Sequence, residues 1–240
     1  MAANSLSGKR VVVIGGASGI GFAVAKAALE EGARIVVASS QSANVEAAAA
    51  RLGEGTVGSA VDVTDEAAVA AFFEGLGAFD HLVFTAGDWA GGFGSPLAQF
   101  DLAAAKTTLG VRFWGAIIAV KHACGAIAKD GSITLTDGML AHRPMKGAAL
   151  ATAMSGALEH LTRALAVELA PVRVNAVCPG LVLTDRNRAM PDAMVKRFTD
   201  GQPLARAAEP AEVAQAYIYA MRAGYTTGQV LMVDGGRWVV

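Results

Sequence analysis

Short runs of β-branched residues alternate with alanine-rich stretches in the first part of the chain. The order is "RVVVIGG", "GFAVAKAALEEGA" and "RIVVAS", followed by a helical pattern that ends near "ARLGEG". Compact apolar runs bounded by glycine are typical of buried strands, whereas the longer alanine-rich stretches have the length and composition of helices. The pattern predicts a βαβ unit, in which the two strands run parallel.

The same alternation continues to the end of the chain. Helices are predicted at "TDEAAVAAFFEGL", over residues 96–129, from residue 148 and at "PAEVAQAYIYAMR", and further strands at "VGSAVDV", "DHLVFTAG", "SITLT", "RVNAVCPG" and "GQVLMVDGG". Seven strands without an intervening linker predict an α/β fold: a single doubly wound parallel seven-stranded sheet of the Rossmann type, with helices on both faces. Residues 1–240 are expected to form one domain, in which the polar segment 181–209 is a substrate lid.

Composition narrows the class of protein. Hydrophobic residues make up 53% of the 240 residues and charged residues 17%, which suits one domain with a large buried sheet. The formal net charge of −1 and the lack of a basic block argue against a nucleic-acid partner. The two cysteines, Cys124 and Cys178, have no spacing typical of a disulfide framework or a metal site, so no metal is expected.

The N-terminal segment "MAANSLSGKR" lacks the basic start and apolar run of a signal peptide. No uncharged apolar run reaches the roughly 18 residues that a membrane span needs. We therefore expect a cytoplasmic protein without a membrane partner.

A glycine-rich turn follows the first strand. Gly15, Gly19 and Gly21 in "GGASGIGFAVA" are spaced G-x-x-x-G-x-G where a helix begins. Glycine lets the backbone turn sharply and approach a pyrophosphate, whose charge the helix N-terminus stabilises. Alone, the motif also fits a plain strand-to-helix turn, so its meaning depends on the other motifs.

Five segments together resemble, in the same order, the motifs of the short-chain dehydrogenase/reductase family. They are "GGASGIG", the "VDV" around Asp62, "FTAG", "PVRVNAVCPGLVLTD" and "TGQVLMVDGG". The resemblance covers nearly the whole chain and implies a Rossmann-type oxidoreductase that uses NAD or NADP. Two departures are Ile14, where the family often has threonine, and "FT" at 84–85, where it often has two asparagines.

The resemblance also implies which residues would contact the cofactor. They are Gly15, Ser18, Gly19, Ile20 and Gly21 at the pyrophosphate, Asp62 and Val63 at the adenine, Ala86 and Gly87 under the ribose, and Pro179, Gly180, Val182 and Thr184 at the nicotinamide carboxamide and nearby phosphate.

The end of the second strand normally selects the cofactor, because an aspartate there binds the adenosine 2′-hydroxyl and repels a 2′-phosphate. This chain has Ser39 and Ser40 instead. Their hydroxyls can donate to a phosphate, although no arginine or lysine is adjacent. We expect NADP; the alternative is a strand end with no preference.

The family's catalytic residues are replaced. Members use a tyrosine as acid and base, a lysine four residues later that lowers its pKa, a serine that holds the substrate oxygen, and an asparagine. The alignment places other residues there: Ala151 for tyrosine, Ser155 for lysine, Gly138 for serine and Arg112 for asparagine. Because this set cannot repeat the proton transfer, the helix from residue 148 is expected to pack without contributing an acid or a base.

The segment "HRPMK" is a second candidate for the acid. His142 and Lys146 have the same four-residue spacing as the family's pair, nine positions earlier. Pro144 disfavours a helix here, so the segment is predicted to be a loop. It is either a displaced catalytic pair or a solvated basic loop.

Arg112 and Asp137 are a further possibility. Arg112 supplies a permanent cation to a site that lacks the family's lysine. Asp137 supplies an anion at the end of the fifth strand. They either pair with each other or bracket a polar substrate. Asp88, Trp89 and Trp114 are expected to shape the same pocket.

Three functions remain open. The first is an NAD(P)-dependent oxidoreductase of a small carbonyl or alcohol that uses a non-standard proton donor, such as Asp137, His142 or water. The second is a catalytically degenerate NADP(H)-binding protein that serves as a sensor or partner subunit. The third is a non-redox lyase or isomerase that uses the vacated pocket. In each case the resemblance implies a homodimer or homotetramer, because the long alanine-rich helix and the helix with "VRFWGAIIAVKHA" resemble the pair that family members often pack across a symmetry axis.

Overall fold

The computed structural model describes residues 5–87, 97–99 and 101–240, with the backbone alone for residues 104, 105, 107 and 108. Strands and helices alternate as the sequence predicts. The strands are β1 (Arg10–Ile14), β2 (Arg34–Ser39), β3 (Thr56–Ala60), β4 (Phe79–Phe84), β5 (Ile127–Thr136), β6 (Arg173–Pro179) and β7 (Val230–Val233). The helices are α1 (Gly19–Glu30), α2 (Ser42–Leu52), α3 (Glu66–Leu76), α4 (Leu102–Leu109), α5 (Gly115–Ala123), α6 (Ala149–Glu168), α7 (Asp192–Thr199) and α8 (Pro210–Arg222).

The seven strands form one sheet in the order β3-β2-β1-β4-β5-β6-β7. Every neighbouring pair is parallel. The chain moves outward from β1 to β3 and then returns to place β4 on the other side of β1. This reversal creates a crevice at the carboxyl ends of β1 and β4, where open α/β sheets bind their ligands. The predicted fold class is confirmed.

Helices cover both faces of the sheet. On one face, α1 and α8 pack against the strands through residues such as Val24 and Tyr217. On the other, α3, α5 and α6 contribute Phe73, Val120 and Leu158. Because both faces are buried, β1 and β2 are apolar over most of their length rather than alternating. Within the described ranges, no helix is long and apolar enough to cross a membrane.

The helical prediction over residues 96–129 is too long at its C-terminal end. α5 ends at Ala123, and β5 already begins at Ile127, which pairs with Phe79 of β4. A turn closed by Ala126 N and Ala123 O separates the two elements. Apolar residues continue through this turn, so hydrophobic pattern alone does not mark the change from helix to strand.

A π-helical turn, Gly110–Trp114, joins α4 to α5. It places Arg112 towards the buried side, whereas the Trp114 side chain is 57% exposed. Asp88 and Trp89, which the sequence assigns to the same pocket, lie outside the described residues.

Segment 181–209 contains a short 3-10 turn, Asn187–Ala189, and helix α7. A bridge between Val182 and Ala208 closes its base, and Arg188 forms an ion pair with Glu209. The segment therefore projects from a fixed base between β6 and α8. Its function as a lid stays a prediction.

Candidate active site

The turn between β1 and α1 packs too closely for side chains at its glycines. Gly15 has a φ of +86°, and a Cβ there would lie 2.6 Å from Ala86 N. A Cβ on Gly21 would lie 2.2 Å from Gly15 O. The turn thus rests directly on the end of β4, which brings the residues assigned to the pyrophosphate beside Ala86 and Gly87, assigned to the ribose.

The first turn of α1 also meets the segment after β6. A Cβ on Gly19 would lie 3.0 Å from Thr184 Cγ2. Gly180 packs on the backbone of Asp234, where a Cβ would lie 3.1 Å from the Asp234 Cα. Pro179, Gly180, Val182 and Thr184 therefore line the same edge of the sheet as the glycine-rich turn.

The N-terminus of α1 can receive an anion. Ser18 is the N-cap residue in an extended conformation, and its side chain makes no capping hydrogen bond. Its hydroxyl and the first amides of α1, including that of Ile20, therefore suit a phosphate, which a helix N-terminus stabilises.

Two further assigned regions flank this turn. Ser39 ends β2, Ser40 is exposed, and α2 begins at Ser42 without an acidic residue in its first turn. Asp62 Oδ1 accepts hydrogen bonds from Thr64 N and Thr64 Oγ1, at 2.9 and 2.8 Å. Val63 next to it is buried. The Asp62 carboxylate thus stabilises the turn that follows β3.

The residues aligned with the family's tyrosine and lysine lie inside the protein. Ala151 packs in a small apolar cluster with Leu140 and Ala148. Ser155 is completely buried, and its hydroxyl has no hydrogen-bond partner in the described part of the chain. Gly138, aligned with the serine, has extended backbone.

Arg112 bridges two strand ends. Its guanidinium donates to Gly87 O at 3.1 Å and to Thr136 O at 3.4 Å, after β4 and at the end of β5. The sequence-based option of a hydrogen-bonded pair with Asp137 is wrong, because neither Asp137 oxygen has a hydrogen-bond partner among the described residues. The guanidinium instead satisfies carbonyls that continue the two strands.

Four side chains that carry two carboxyl groups, an imidazole and a thiol meet at the ends of β5 and β6. One ligating atom from each of Asp137, His142, Glu159 and Cys178 lies within 4.8 Å of the others. Asp137 N donates to Val177 O at 2.8 Å, which fixes Asp137 beside the strand that carries Cys178. These four residues are called the acid cluster below.

The acid cluster is an unusual environment for a carboxyl group. Asp137 is 1% exposed, and burial, followed by the neighbouring carboxyl group of Glu159, raises its pKa to about 8. Burial and the same carboxyl groups also raise the pKa of the Cys178 thiol far above its usual range. At neutral pH, Asp137 therefore holds a proton, and Cys178 is a thiol.

His142 links the cluster to the surface. Its Nε2 contacts Glu159 Oε1, and its ring lies edge-on to Trp238, with 4.2 Å between the ring centroids. Arg163 donates to the other Glu159 oxygen at 3.3 Å. As predicted, the His142 segment is a loop, but Lys146 is exposed and is not part of the acid cluster.

Helix α6 brings one carboxyl group, that of Glu159, to the acid cluster, which the sequence analysis did not single out. That the helix supplies no acid or base to a reaction stays a prediction. Ala151, Ser155 and Glu159 are spaced by four residues and therefore lie on one helix face. This spacing was the available signal, since two positions already assigned to the site predict a third one turn later. Cys178 gave no comparable signal, because a cysteine in an apolar strand usually only packs.

No tyrosine joins the acid cluster, although the structure describes all three. Tyr217 is fully buried on α8, and its hydroxyl lies 2.7 Å from Thr136 Oγ1. Tyr219 and Tyr225 are exposed. The proton donors that the acid cluster itself offers are carboxyl groups, an imidazole and a thiol.

Comparisons with known proteins identify the family of this chain. The family model described as enoyl-(acyl carrier protein) reductase matches residues 15–237. The short-chain dehydrogenase/reductase ATR9 of Stachybotrys chlorohalonatus is 34% identical, and the comparison covers 98% of this chain and 99% of that protein.

Solved structures of dehydrogenases and reductases are similar to this chain in sequence and fold. A small-chain dehydrogenase in complex with NADPH is 36% identical with a TM-score of 0.83, covering 98% of this chain and 100% of that one. The reductase/Diels-Alderase MalC of Malbranchea aurantiaca is 31% identical with a TM-score of 0.90, and all of both chains is covered. A 3-ketoacyl-(acyl-carrier-protein) reductase of Brucella melitensis complexed with NADH is 29% identical with a TM-score of 0.89, over 98% of this chain and 100% of that one.

The match extends over nearly the whole chain and includes both the glycine-rich turn and the strand ends that surround the acid cluster. This protein belongs to the short-chain dehydrogenase/reductase family of NAD(P)-dependent oxidoreductases.

Proposed function

We propose that this protein is an NADP(H)-dependent reductase of small carbonyl compounds in which the acid cluster replaces the family's tyrosine and lysine. The observation that carries the proposal is the position of Asp137, Glu159 and His142 at the ends of β5 and β6. The segment Pro179–Thr184, assigned to the nicotinamide, continues directly from β6. Acid and base groups thus adjoin the expected site of hydride transfer.

When bound, the reduced nicotinamide supplies a hydride to the carbonyl carbon. The carbonyl oxygen then needs one proton, which the Asp137 carboxyl group donates. Glu159 lies beside Asp137, and the half-buried His142 contacts Glu159, so a proton from solvent can return to Asp137 along these groups. Reduction consumes one hydride and one proton and leaves the alcohol.

The choice of NADP is supported by the end of β2. No carboxylate stands at Ser39 or Ser40 to repel a 2′-phosphate, and both hydroxyls can donate to it. The N-terminus of α2 follows at Ser42 and favours an anion at the same place. A related structure contains NADPH, whereas another contains NADH.

The direct test follows NADPH absorbance with a panel of aldehydes and ketones. We expect turnover that falls at least 100-fold in Asp137→Asn, since a positioned general acid contributes about 10² to 10⁴ in rate. NADPH affinity, measured by calorimetry, should change little. Asp130→Asn is the matched control, because its side chain is 79% exposed at the opposite end of β5.

Two results would contradict the proposal. One is NADPH binding without consumption of NADPH on any carbonyl of the panel, which would favour a sensor or partner subunit. The other is an Asp137→Asn variant that keeps the wild-type rate, which would remove the acid cluster from the mechanism.

A second candidate is a non-redox reaction in the same pocket. Ala151 leaves no phenol at the tyrosine position, and one similar protein is named both a reductase and a Diels-Alderase. A product that forms equally well with and without nucleotide would support this candidate over the reductase.

We also propose a cytoplasmic homodimer or homotetramer. The support is an apolar side chain on the outer side of α6, where Val167 is 81% exposed, and the two cysteines, both free thiols. Sedimentation velocity at micromolar concentration tests the assembly, and a single monomer boundary would overturn it.

A further inference from the structure

The acid cluster contains two buried carboxyl groups that lie side by side. Asp137 and Glu159 are 1% and 5% exposed. Arg163 reaches one Glu159 oxygen, but its own side chain is 49% exposed. Both Asp137 oxygens lack a hydrogen-bond partner in the described ranges. Buried polar atoms without partners are costly, so such a group points to a proton, water or cation at the site.

The other two members of the acid cluster, His142 and Cys178, carry ligand atoms that are typical of zinc sites. His142 offers an imidazole nitrogen, and Cys178 offers a sulfur that lies 3.8 Å from Met139 Sδ. Nitrogen, sulfur and carboxylate oxygen together are the ligands of zinc, whereas magnesium and calcium take oxygen alone.

The geometry also fits a single ion. In a tetrahedral zinc site with bonds of about 2.0 to 2.3 Å, neighbouring ligand atoms lie about 3.5 Å apart. The four atoms here lie within 4.8 Å of one another, so the pair that is farthest apart needs to approach by roughly 1 Å, whereas His142 and Glu159 are already in contact. The ligands come from the end of β5, the loop before α6, the middle of α6 and the end of β6, which hold them from separate directions.

We propose that Asp137, His142, Glu159 and Cys178 bind one Zn²⁺ ion. Binding releases to solvent the thiol proton of Cys178 and any proton held by the two carboxyl groups, because only the deprotonated forms are ligands. The ion and these protons therefore compete for one site. If the reductase mechanism proposed above holds, zinc inhibits it by removing the proton from Asp137.

Binding is tested on protein without nucleotide or substrate, so the result does not depend on turnover. After chelator treatment and desalting, Co²⁺ is added as a spectroscopic probe, and Zn²⁺ is titrated by calorimetry and by competition with a chromogenic chelator. The Cys124→Ser variant is used throughout as the parent. Since the sequence has two cysteines, a thiolate-to-cobalt absorption band in this variant comes from Cys178 alone.

We expect one equivalent of Zn²⁺, a thiolate-to-cobalt band that Zn²⁺ abolishes, and affinity more than tenfold lower in Cys178→Ser or His142→Ala. Lys146→Ala, in the same loop as His142, should bind normally. The absence of the cobalt band in the folded parent overturns the proposal even if a ligand variant does not fold. Zinc binding that Cys178→Ser leaves unchanged overturns it as well. None of these measurements depends on carbonyl reduction. A failure of the zinc proposal can therefore be distinguished from a failure of the reductase proposal.

Discussion

The hydroxyl groups of Tyr217 and Thr136 lie 2.7 Å apart in the interior, where α8 crosses the end of β5. Thr136 Oγ1 also donates to Phe84 O at 2.7 Å, so the Tyr217 hydroxyl is the donor to Thr136. The two bonds join α8, β5 and β4 one residue before Asp137. The single buried phenol of this chain therefore fixes the sheet beneath the pocket.

Tyr217→Phe should lower the free energy of unfolding by about 1 kcal/mol, because it removes one buried hydrogen bond and leaves Thr136 paired with Phe84. Urea denaturation measures the change. Tyr219→Phe is the control on the same helix, since Tyr219 is 53% exposed, and its stability should match the wild type within about 0.5 kcal/mol. Equal effects of the two substitutions would contradict the role given to Tyr217.

Ser39→Asp should weaken NADPH binding at least tenfold and leave NADH binding nearly unchanged. The new carboxylate would stand where the 2′-phosphate is expected and would repel it, whereas it can accept a hydrogen bond from a 2′-hydroxyl. Calorimetry with both nucleotides gives the ratio. Ser7→Asp, at an exposed position before β1, controls for the added charge. An unchanged ratio would mean that the end of β2 does not select the cofactor.

His81 on β4 should make stability fall as the solution becomes acidic. Its Nδ1 lies 2.9 Å from Ser132 Oγ, and both side chains are buried. Burial lowers the pKa of His81 to about 4; Asp80 and Asp130 raise it, and Arg173 and Lys9 lower it. Since the unfolded pKa is near 6.5, the unfolded chain binds the extra proton between pH 6.5 and 4, and stability is lost across that window.

The expected loss is about 3 kcal/mol between pH 6.5 and 4, measured as the difference between wild type and His81→Asn in urea unfolding curves. Carboxyl groups also titrate in this range, and the comparison with the variant cancels their share. His160→Asn should behave as the wild type, because His160 is exposed on α6. Parallel pH profiles for wild type and His81→Asn would refute the assignment.

Gly21→Ala should weaken NADPH binding at least tenfold. The Cβ of the new alanine would lie 2.2 Å from Gly15 O and would push the turn apart. Gly156→Ala is the matched control. Among the described residues, a Cβ at Gly156 in the middle of α6 would meet no atom within 4 Å apart from its chain neighbours and the backbone of its own helix, so alanine should stabilise the protein by roughly 0.5 to 1 kcal/mol. Calorimetry and thermal unfolding distinguish the two effects.

The fold was predictable because the first two strands are compact apolar runs between glycine-rich or polar turns. "RVVVI" and "RIVVAS" became neighbouring strands, with Val13 opposite Val37. The boundary near residue 127 was not predictable, because it depends on pairing between Ile127 and Phe79, which are distant in sequence. The local hydrophobic pattern predicts which strands and helices form, whereas pairing between distant strands determines the residue at which each strand begins.

The acid cluster was only half predictable. Asp137 and His142 stand out as polar residues after an apolar strand, and both were candidates. Glu159 and Cys178 join them through the packing of α6 on β6, which no local pattern reports. The same packing raises the pKa of Asp137, so its chemistry depends on neighbours that the sequence does not place beside it.

The small apolar group of Leu140, Ala148 and Ala151 limits which side chain fits at position 151. The space next to Ala151 is occupied by aliphatic side chains, with Met145 packed against them. A tyrosine introduced at position 151 would meet these neighbours, and a lysine introduced at position 155 would meet the Glu159 carboxyl group one turn away on the same helix. A tyrosine and lysine pair on α6 would therefore require the surrounding side chains to repack, and not only two substitutions.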